Sequence, residues 1–296
     1  WWGDVRVQAL VNYYAFGDLA LVRQGLRHIA QSQTNEGLTM GVYPTDWSNG
    51  ILPTFTLLWV VSLQDYYEFS GDRALVAELF PAIERAMDYF ERYRGEHDLL
   101  RNVPYWLFVD WARVETAGES ASVNALYYGA LCVASGLADA IDSRRMSAEY
   151  RARADRIRAG MYQHLWDNDR KCFRDAWKDG ELSGKISEQA NCWAVVFGSA
   201  PPGTANTILE ALFDKHQAAV HVGTPYFGFY VLRAFAAAGQ HERSLQYIRK
   251  HWGDMLDWGA TTWWEQWEPK ASFCHGWSSG PTHFLQADIL GVKPGK

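Results

Sequence analysis

Cysteine is scarce in this sequence, with four in 296 residues, and Cys132, Cys172, Cys192 and Cys274 show no paired spacing. That scatter argues against a zinc site and a disulfide framework, and no metal is expected. Free, buried thiols are the simpler reading; they fit a reducing compartment without fixing the localisation. Positive charge is short as well: 28 Lys and Arg against 34 Asp and Glu leave a net charge of −6. A nucleic-acid partner, which needs a basic patch, is therefore not expected. No apolar run reaches the length of a membrane span, so no membrane partner is expected either. The longest candidates, Phe55–Leu63 and Tyr226–Ala238, are core helix by length. Sustained polar–apolar alternation, the mark of sheet, is missing. No Ser-His-Asp order or phosphate-cradling glycine loop stands out, and no cofactor is expected.

What the sequence has in excess is tryptophan, 15 residues within an aromatic share of 15%. The densest stretch runs from Trp258 to Trp277 and holds five tryptophans, two glutamates and a histidine in a non-periodic segment. Tryptophan offers a flat apolar face with one donor, which suits stacking on the C–H face of a sugar ring. A carboxylate among such rings is partly desolvated, which moves it toward the range useful for proton transfer at neutral pH. Glu265, flanked by Trp264 and Trp267, is the first candidate, with Trp264 expected to bind the substrate beside it. Read alone, the same segment is also consistent with hydrophobic filler and a surface glutamate.

The rest of the chain has apolar residues at helical spacing. Helices are predicted near 4–16, 18–33, 54–70, 72–94, 120–142, 147–167, 186–198, 203–216, 224–238, 240–252 and 279–291, eleven in all. The odd-numbered ones are mostly apolar or small, as in Phe-Thr-Leu-Leu-Trp-Val-Val-Ser-Leu from Phe55. Even-numbered ones carry charge on one face, as in Glu-Tyr-Arg-Ala-Arg-Ala-Asp-Arg-Ile-Arg from Glu149. A helix apolar all round is buried and a one-sided helix covers it, so inner and outer helices alternate. The inner-to-outer turns are short, and Gly17-Asp18-Leu19-Ala20-Leu21-Val22 repeats as Gly71-Asp72-Arg73-Ala74-Leu75-Val76. This is a repeat of helical hairpins.

Outer-to-inner connections are mostly long, such as 34–53, 95–119 and 253–278. All tryptophans except Trp59, Trp166 and Trp193 fall in or beside the connections entering inner helices. The fold class predicted is all-α, an (α/α)6 barrel forming one domain over residues 1–296. In such a ring every long loop lies at one end, where a rigid scaffold places a site. Twelve helices make six hairpins, so the first is expected to precede Trp1, and the chain, without an initiator Met or signal peptide, reads as a fragment.

The long loops supply aromatic–acid pairs. Gly3-Asp4 opens the first inner helix, where Asp4 reads either as an N-cap or as a ligand for sugar hydroxyls beside a Trp1 platform. Trp47 follows Asp46, and Trp111 follows Asp110; each pair suits a sugar ring with its hydroxyls or a turn with its own Asx bond. Glu188 reads as a first-turn or capping-box acid. Tyr226 follows Pro225 at a helix start, where it is placed to line the site. His275 reads as a partner for the Glu265 carboxylate or a hydroxyl, or as a structural histidine.

Here the sequence resembles a known family. Trp1-Trp2-Gly3-Asp4 is similar to the end of the Glu-Arg-x-Gly-Trp-x-Gly-Asp signature of the family 78 α-L-rhamnosidases, and Gly259 to Trp267 resembles their Gly-Ala-Thr-Thr-x-Trp-Glu-x-Trp. His275-Gly276-Trp277-Ser278 and the Leu-Gly-Val from Leu290 resemble that family's closing segment. The resemblance implies an inverting glycosidase acting on terminal α-L-rhamnose of a glycoside or polysaccharide, with Glu265 as general base. It implies that Asp4 binds rhamnose hydroxyls, that Trp1 and His275 line the subsite and, more loosely, that Asp110-Trp111 matches a family Asp-Trp pair. The family's acid is the glutamate opening the first signature, which is expected ahead of Trp1. Set against this are another six-hairpin glycosidase or a polysaccharide lyase, and a carbohydrate-binding barrel without turnover.

Overall fold

The computed structural model describes residues 1–295. Helices α1 (Trp2–Ala15) and α2 (Ala20–Gln31) form the first hairpin, α3 (Pro53–Ser70) and α4 (Arg73–Glu91) the second, α5 (Ala121–Ala140) and α6 (Arg144–His164) the third. Next, α7 (Glu188–Phe197) pairs with the short α8 (Ala205–Leu209), which runs on as a π turn to Asp214. Then α9 (Pro225–Ala237) pairs with α10 (His241–Asp257), and α11 (Gly280–Phe284) ends in a second π turn at Ile289. The eleven predicted helices are the eleven found among the described residues.

The odd-numbered helices make a closed inner ring: each packs on the next, and α11 returns to α1. The even-numbered helices lie outside. Burial explains the division. Every residue of α3 from Pro53 to Leu63 is buried, whereas α10 buries only Ser244, Trp252 and Met255. The ring also holds a part-buried ion pair, in which the buried Arg6 donates through Nε to Asp65 Oδ2 at 2.8 Å and through Nη1 to the Tyr230 hydroxyl at 3.2 Å. One expectation needs correction: α5 is apolar enough by length and composition to cross a membrane, with mean hydropathy 1.3. Its small residues let neighbours close in on every side, and 83% of that stretch is buried within the barrel. The cysteines are free; Cys172 and Cys192 are buried, but Cys132 and Cys274 are exposed, so the expectation of buried thiols holds for two of four.

Inner-to-outer turns are tight, with Gly17, Gly71, Gly198 and Gly239 all in the left-handed region that costs glycine least. The opposite ends carry the long loops, and these are anchored by a repeated device. Ser120 and Ser187 each stand ahead of an inner helix, and the asparagine four residues on, Asn124 or Asn191, reaches back to the loop. Asn124 accepts from Leu100 N–H (2.7 Å) and donates to its carbonyl (3.1 Å); Asn191 does the same to Phe173 at 2.8 and 3.0 Å.

Short strands, absent from the prediction, fasten the same loops: β1 (Glu119–Ser120), β2 (Trp166–Asp167), β3 (Cys172–Phe173), β4 (Ala176–Lys178) and β5 (Glu181–Leu182). β2 pairs with β3, and β4 lies between β1 and β5, all antiparallel. The β4–β5 turn is Asp179-Gly180, both at positive φ, the pairing a tight hairpin requires. Runs of two or three residues are too short to show a period of two, which is why alternation did not reveal them.

Candidate active site

At the loop end of the ring, a cavity of about 150 Å³ is lined by Trp1, Asp4, Leu52, Phe55, Trp106, Phe108, Trp111, Glu265, His275 and Trp277. Its size is well below the roughly 300 Å³ at which drug-sized sites begin, so it suits one ring rather than a chain of them. Two carboxylates and an imidazole share its floor. His275 Nε2 donates to Asp4 Oδ1 at 2.9 Å, and its Nδ1 stands 3.6 Å from Glu265 Oε2. The second distance is too long for a hydrogen bond. His275 thus joins Glu265 to Asp4, a residue 271 positions away from it in sequence, across the last and first inner-helix entries.

Local chemistry holds these groups. Asp4 lies in the first turn of α1, where a carboxylate meets the positive end of the helix dipole, and Trp1 rather than Asp4 is the N-cap. Glu265 is fixed through its backbone: its N–H donates to Ser272 O at 2.8 Å, and its carbonyl accepts from Trp277 Nε1 at 2.9 Å. Its Oε2 accepts from Ser272 N–H at 3.2 Å. His275 N–H donates to Trp263 O at 2.8 Å, so the segment folds back and brings Glu265 and His275 together.

Aromatic rings wall the cavity. Trp1, Trp106 and Trp111 stay between 43% and 49% exposed, which leaves faces open at the mouth. Trp47 meets Trp1 edge-on at 5.4 Å and extends that side outward, beyond the cavity lining itself. Phe108 links the walls, edge-on to Trp111 at 5.1 Å and stacked on Trp277 at 6.2 Å. Its carbonyl accepts from Thr54 Oγ1 at 2.7 Å, which ties the 95–119 loop to the start of α3.

Three predicted ligands stand behind these walls, a correction to the expectation that they meet substrate. Tyr226 is 1% exposed and stacks on the back of Trp277 at 5.1 Å, because its position in the first turn of α9 points into the ring. Trp264 packs with Leu232, Trp252, Met255 and Phe284 under the Trp258–Trp277 segment, and Trp263 rests against the same cluster. Asp110 is buried and its carboxylate is taken up by protein donors: Gly223 N–H (2.7 Å), Thr224 Oγ1 (2.6 Å), Gln189 Nε2 (2.9 Å) and Trp111 N–H (2.8 Å). Burial pushes its carboxyl above the usual range, against the pull of those bonds. Glu188 is a first-turn acid without the capping box: Ser187 caps Ala190 N–H, and the Glu188 carboxylate binds His221 Nδ1 (2.8 Å) and Val222 N–H (2.7 Å).

Leu52, Phe55, Trp106, Phe108 and Trp277 line the cavity without having been singled out as site residues. Trp106 and Trp277 sit in the tryptophan-rich loops, and that signal was available. Phe55 reads as core because only its ring edge reaches the floor; it is 3% exposed.

A closed ring of hairpins with a ring-walled, carboxylate-bearing recess at its loop end defines a six-hairpin glycosidase. Residues 1–289 match the bacterial alpha-L-rhamnosidase six-hairpin glycosidase domain, and the chain belongs to that family. Among solved structures, it is similar to a family 78 rhamnosidase of Bacillus sp. GL1, at 30% identity and TM-score 0.92, covering 100% of this chain and 32% of that one. It is also similar to a Klebsiella oxytoca rhamnosidase with rhamnose bound, at 25% identity and TM-score 0.87, covering 99% and 58%. An alpha-L-rhamnosidase of Streptomyces avermitilis is 23% identical across 100% of this chain and 29% of its own length. The chain thus spans roughly a third to just over half the length of these relatives.

Proposed function

We propose that residues 1–296 form one catalytic barrel that acts in an inverting α-L-rhamnosidase, releasing terminal α-L-rhamnose from a glycoside or polysaccharide. The observation that carries this is the Glu265–His275–Asp4 constellation at the mouth of the barrel, enclosed by Trp1, Trp106, Trp111 and Trp277. The rhamnose held by the Klebsiella relative supports the choice of sugar.

In this reading one rhamnose ring enters the cavity with its C–H face against the tryptophans and its hydroxyls toward Asp4 and His275. Glu265 removes a proton from a water as that water attacks the anomeric carbon. The glycosidic C–O bond breaks, and the departing oxygen takes a proton from an acid. That acid is assigned to the glutamate the family pattern places ahead of Asp4, outside residues 1–296. Inversion requires the two carboxyls to stand about 6.5–9.5 Å apart, with the water between Glu265 and the sugar. His275 holds Glu265 and Asp4 in one orientation, so that base and hydroxyl ligand address the same ring.

Glu265→Gln in the full-length protein keeps the shape and removes the base. Hydrolysis of an aryl α-L-rhamnoside is expected to fall by roughly 10²–10⁴-fold, with L-rhamnose binding retained. Proton NMR of the wild-type reaction should show β-L-rhamnose first. Full activity in the glutamine variant, or α-L-rhamnose as first product, would overturn the mechanism.

A further inference from the structure

The loop before α9 is held by two buried carboxylates. Glu188 binds His221 and Val222, and Asp110 binds the next two residues, Gly223 and Thr224. Asp110 immediately precedes Trp111, a wall of the cavity, and also accepts from the Trp111 N–H. Gln189 joins both parts, donating through Nε2 to Asp110 Oδ2 and to His221 O, each at 2.9 Å. A separate observation marks the same junction. A Cβ on Gly223 would lie 2.2 Å from the Trp111 carbonyl oxygen and 2.9 Å from its carbon. The glycine is required by close approach of two backbones, since its φ is not in the left-handed region.

We infer that Asp110 and Gly223 are positioning residues: together they lock the backbone of Trp111 against the α9 entry and so set the tryptophan wall of the sugar cavity. Neither touches the cavity. The junction acts on ligand through Trp111 alone, and its effect on sugar binding rests on the function proposed above. A stacking face displaced by an ångström loses much of its contact, which is worth about tenfold in affinity.

The test uses the full-length protein labelled with fluorotryptophan, with Trp111→Phe assigning the Trp111 ¹⁹F resonance. In Gly223→Ala and Asp110→Asn that resonance is expected to shift or broaden while the resonance of buried Trp193 stays in place. KM for an aryl α-L-rhamnoside should rise about tenfold with kcat within about threefold. Combined with Trp111→Ala, Gly223→Ala should add nothing further to KM, because the two changes act through one ring. Thr224→Val should follow Asp110→Asn, and Thr224→Ser, which keeps the hydroxyl, should restore the wild-type KM.

An unmoved Trp111 resonance in Gly223→Ala, or KM effects that add fully to those of Trp111→Ala, would overturn the inference. Wild-type protein that neither binds nor cleaves rhamnosides would defeat the function proposal instead, and the resonance shift would still decide the junction.

Discussion

Neighbouring residues of one type meet opposite fates in this barrel. Trp1 keeps nearly half its surface at the mouth, while Trp2 is buried with its indole N–H on Ser62 Oγ at 3.0 Å. Between Trp2 and Asp4, Gly3 has a function its motif does not explain. A Cβ there would lie 2.6 Å from Cζ of Phe55 and 2.8 Å from its Cε1, and Phe55 forms part of the cavity floor. Gly3→Ala is therefore expected to push that ring into the sugar space, costing about 1–3 kcal/mol of stability by overpacking. Calorimetric unfolding together with L-rhamnose titration checks this; wild-type affinity in the alanine variant would show that the floor tolerates the added methyl. Asp4, Glu265 and Trp111 were legible in sequence as chemistry-bearing types in tryptophan-rich loops. Asp110 was not legible as a staple, because an acid beside a tryptophan reads the same whether its oxygens face a ligand or four protein donors.

At the scale of elements, long loops hold still because each is tied to the helix it enters. Asn124 and Asn191 satisfy both backbone groups of Leu100 and Phe173, and each also donates to the serine carbonyl four residues back, at 2.8 and 3.0 Å. Asn191→Ala leaves the buried N–H and C=O of Phe173 unpaired. The expected loss is about 1–3 kcal/mol per orphaned group, read as a lower urea midpoint. Hydrogen exchange should speed up first around residues 166–182, where β2 to β5 lie. Uniform exchange across the chain would show that the amide supports the ring as a whole rather than this loop. The repeated Gly-Asp phrase shows the limit of a motif. Gly17 and Gly71 share φ near 65°, yet Asp72 caps α4 through Leu75 N–H whereas Asp18 binds Ala20 N–H in an Asx turn.

For the whole molecule, closure of the ring places a histidine where it cannot be solvated. His283, on α11, is 3% exposed, stacked on Tyr14 at 5.4 Å and near Phe229 at 5.8 Å. Burial first, then Arg233, with Arg6 and Lys293 adding to it against Asp288, lowers its pKa to about 3, and burial with Lys250 lowers His251 to about 4. Both remain neutral in the fold, while unfolded histidine takes up a proton near pH 6.5. Stability is thus complete above about pH 6.5 and falls as the pH drops toward 4, on the order of 1 kcal/mol per unit for each group. His283→Phe keeps the stacking and removes one titration, so the slope of urea stability between pH 6.5 and 4.5 should shrink. An unchanged slope would place the acid sensitivity elsewhere.

The sequence by itself determined the helices, their alternation between buried and covering, and the end of the barrel where the tryptophans gather, because periodicity, tight turns and composition are local properties. It also marked Glu265 through a motif dense in rings. Only the tertiary structure decided which side chains face the cavity and which stand behind it, since that depends on how loops separated by a hundred or more residues cross. The contact of His275 with Asp4, the capture of Asp110 by the α9 entry and the burial of Tyr226 and Trp264 all arise when the ring closes, from geometry that no stretch of the chain contains alone.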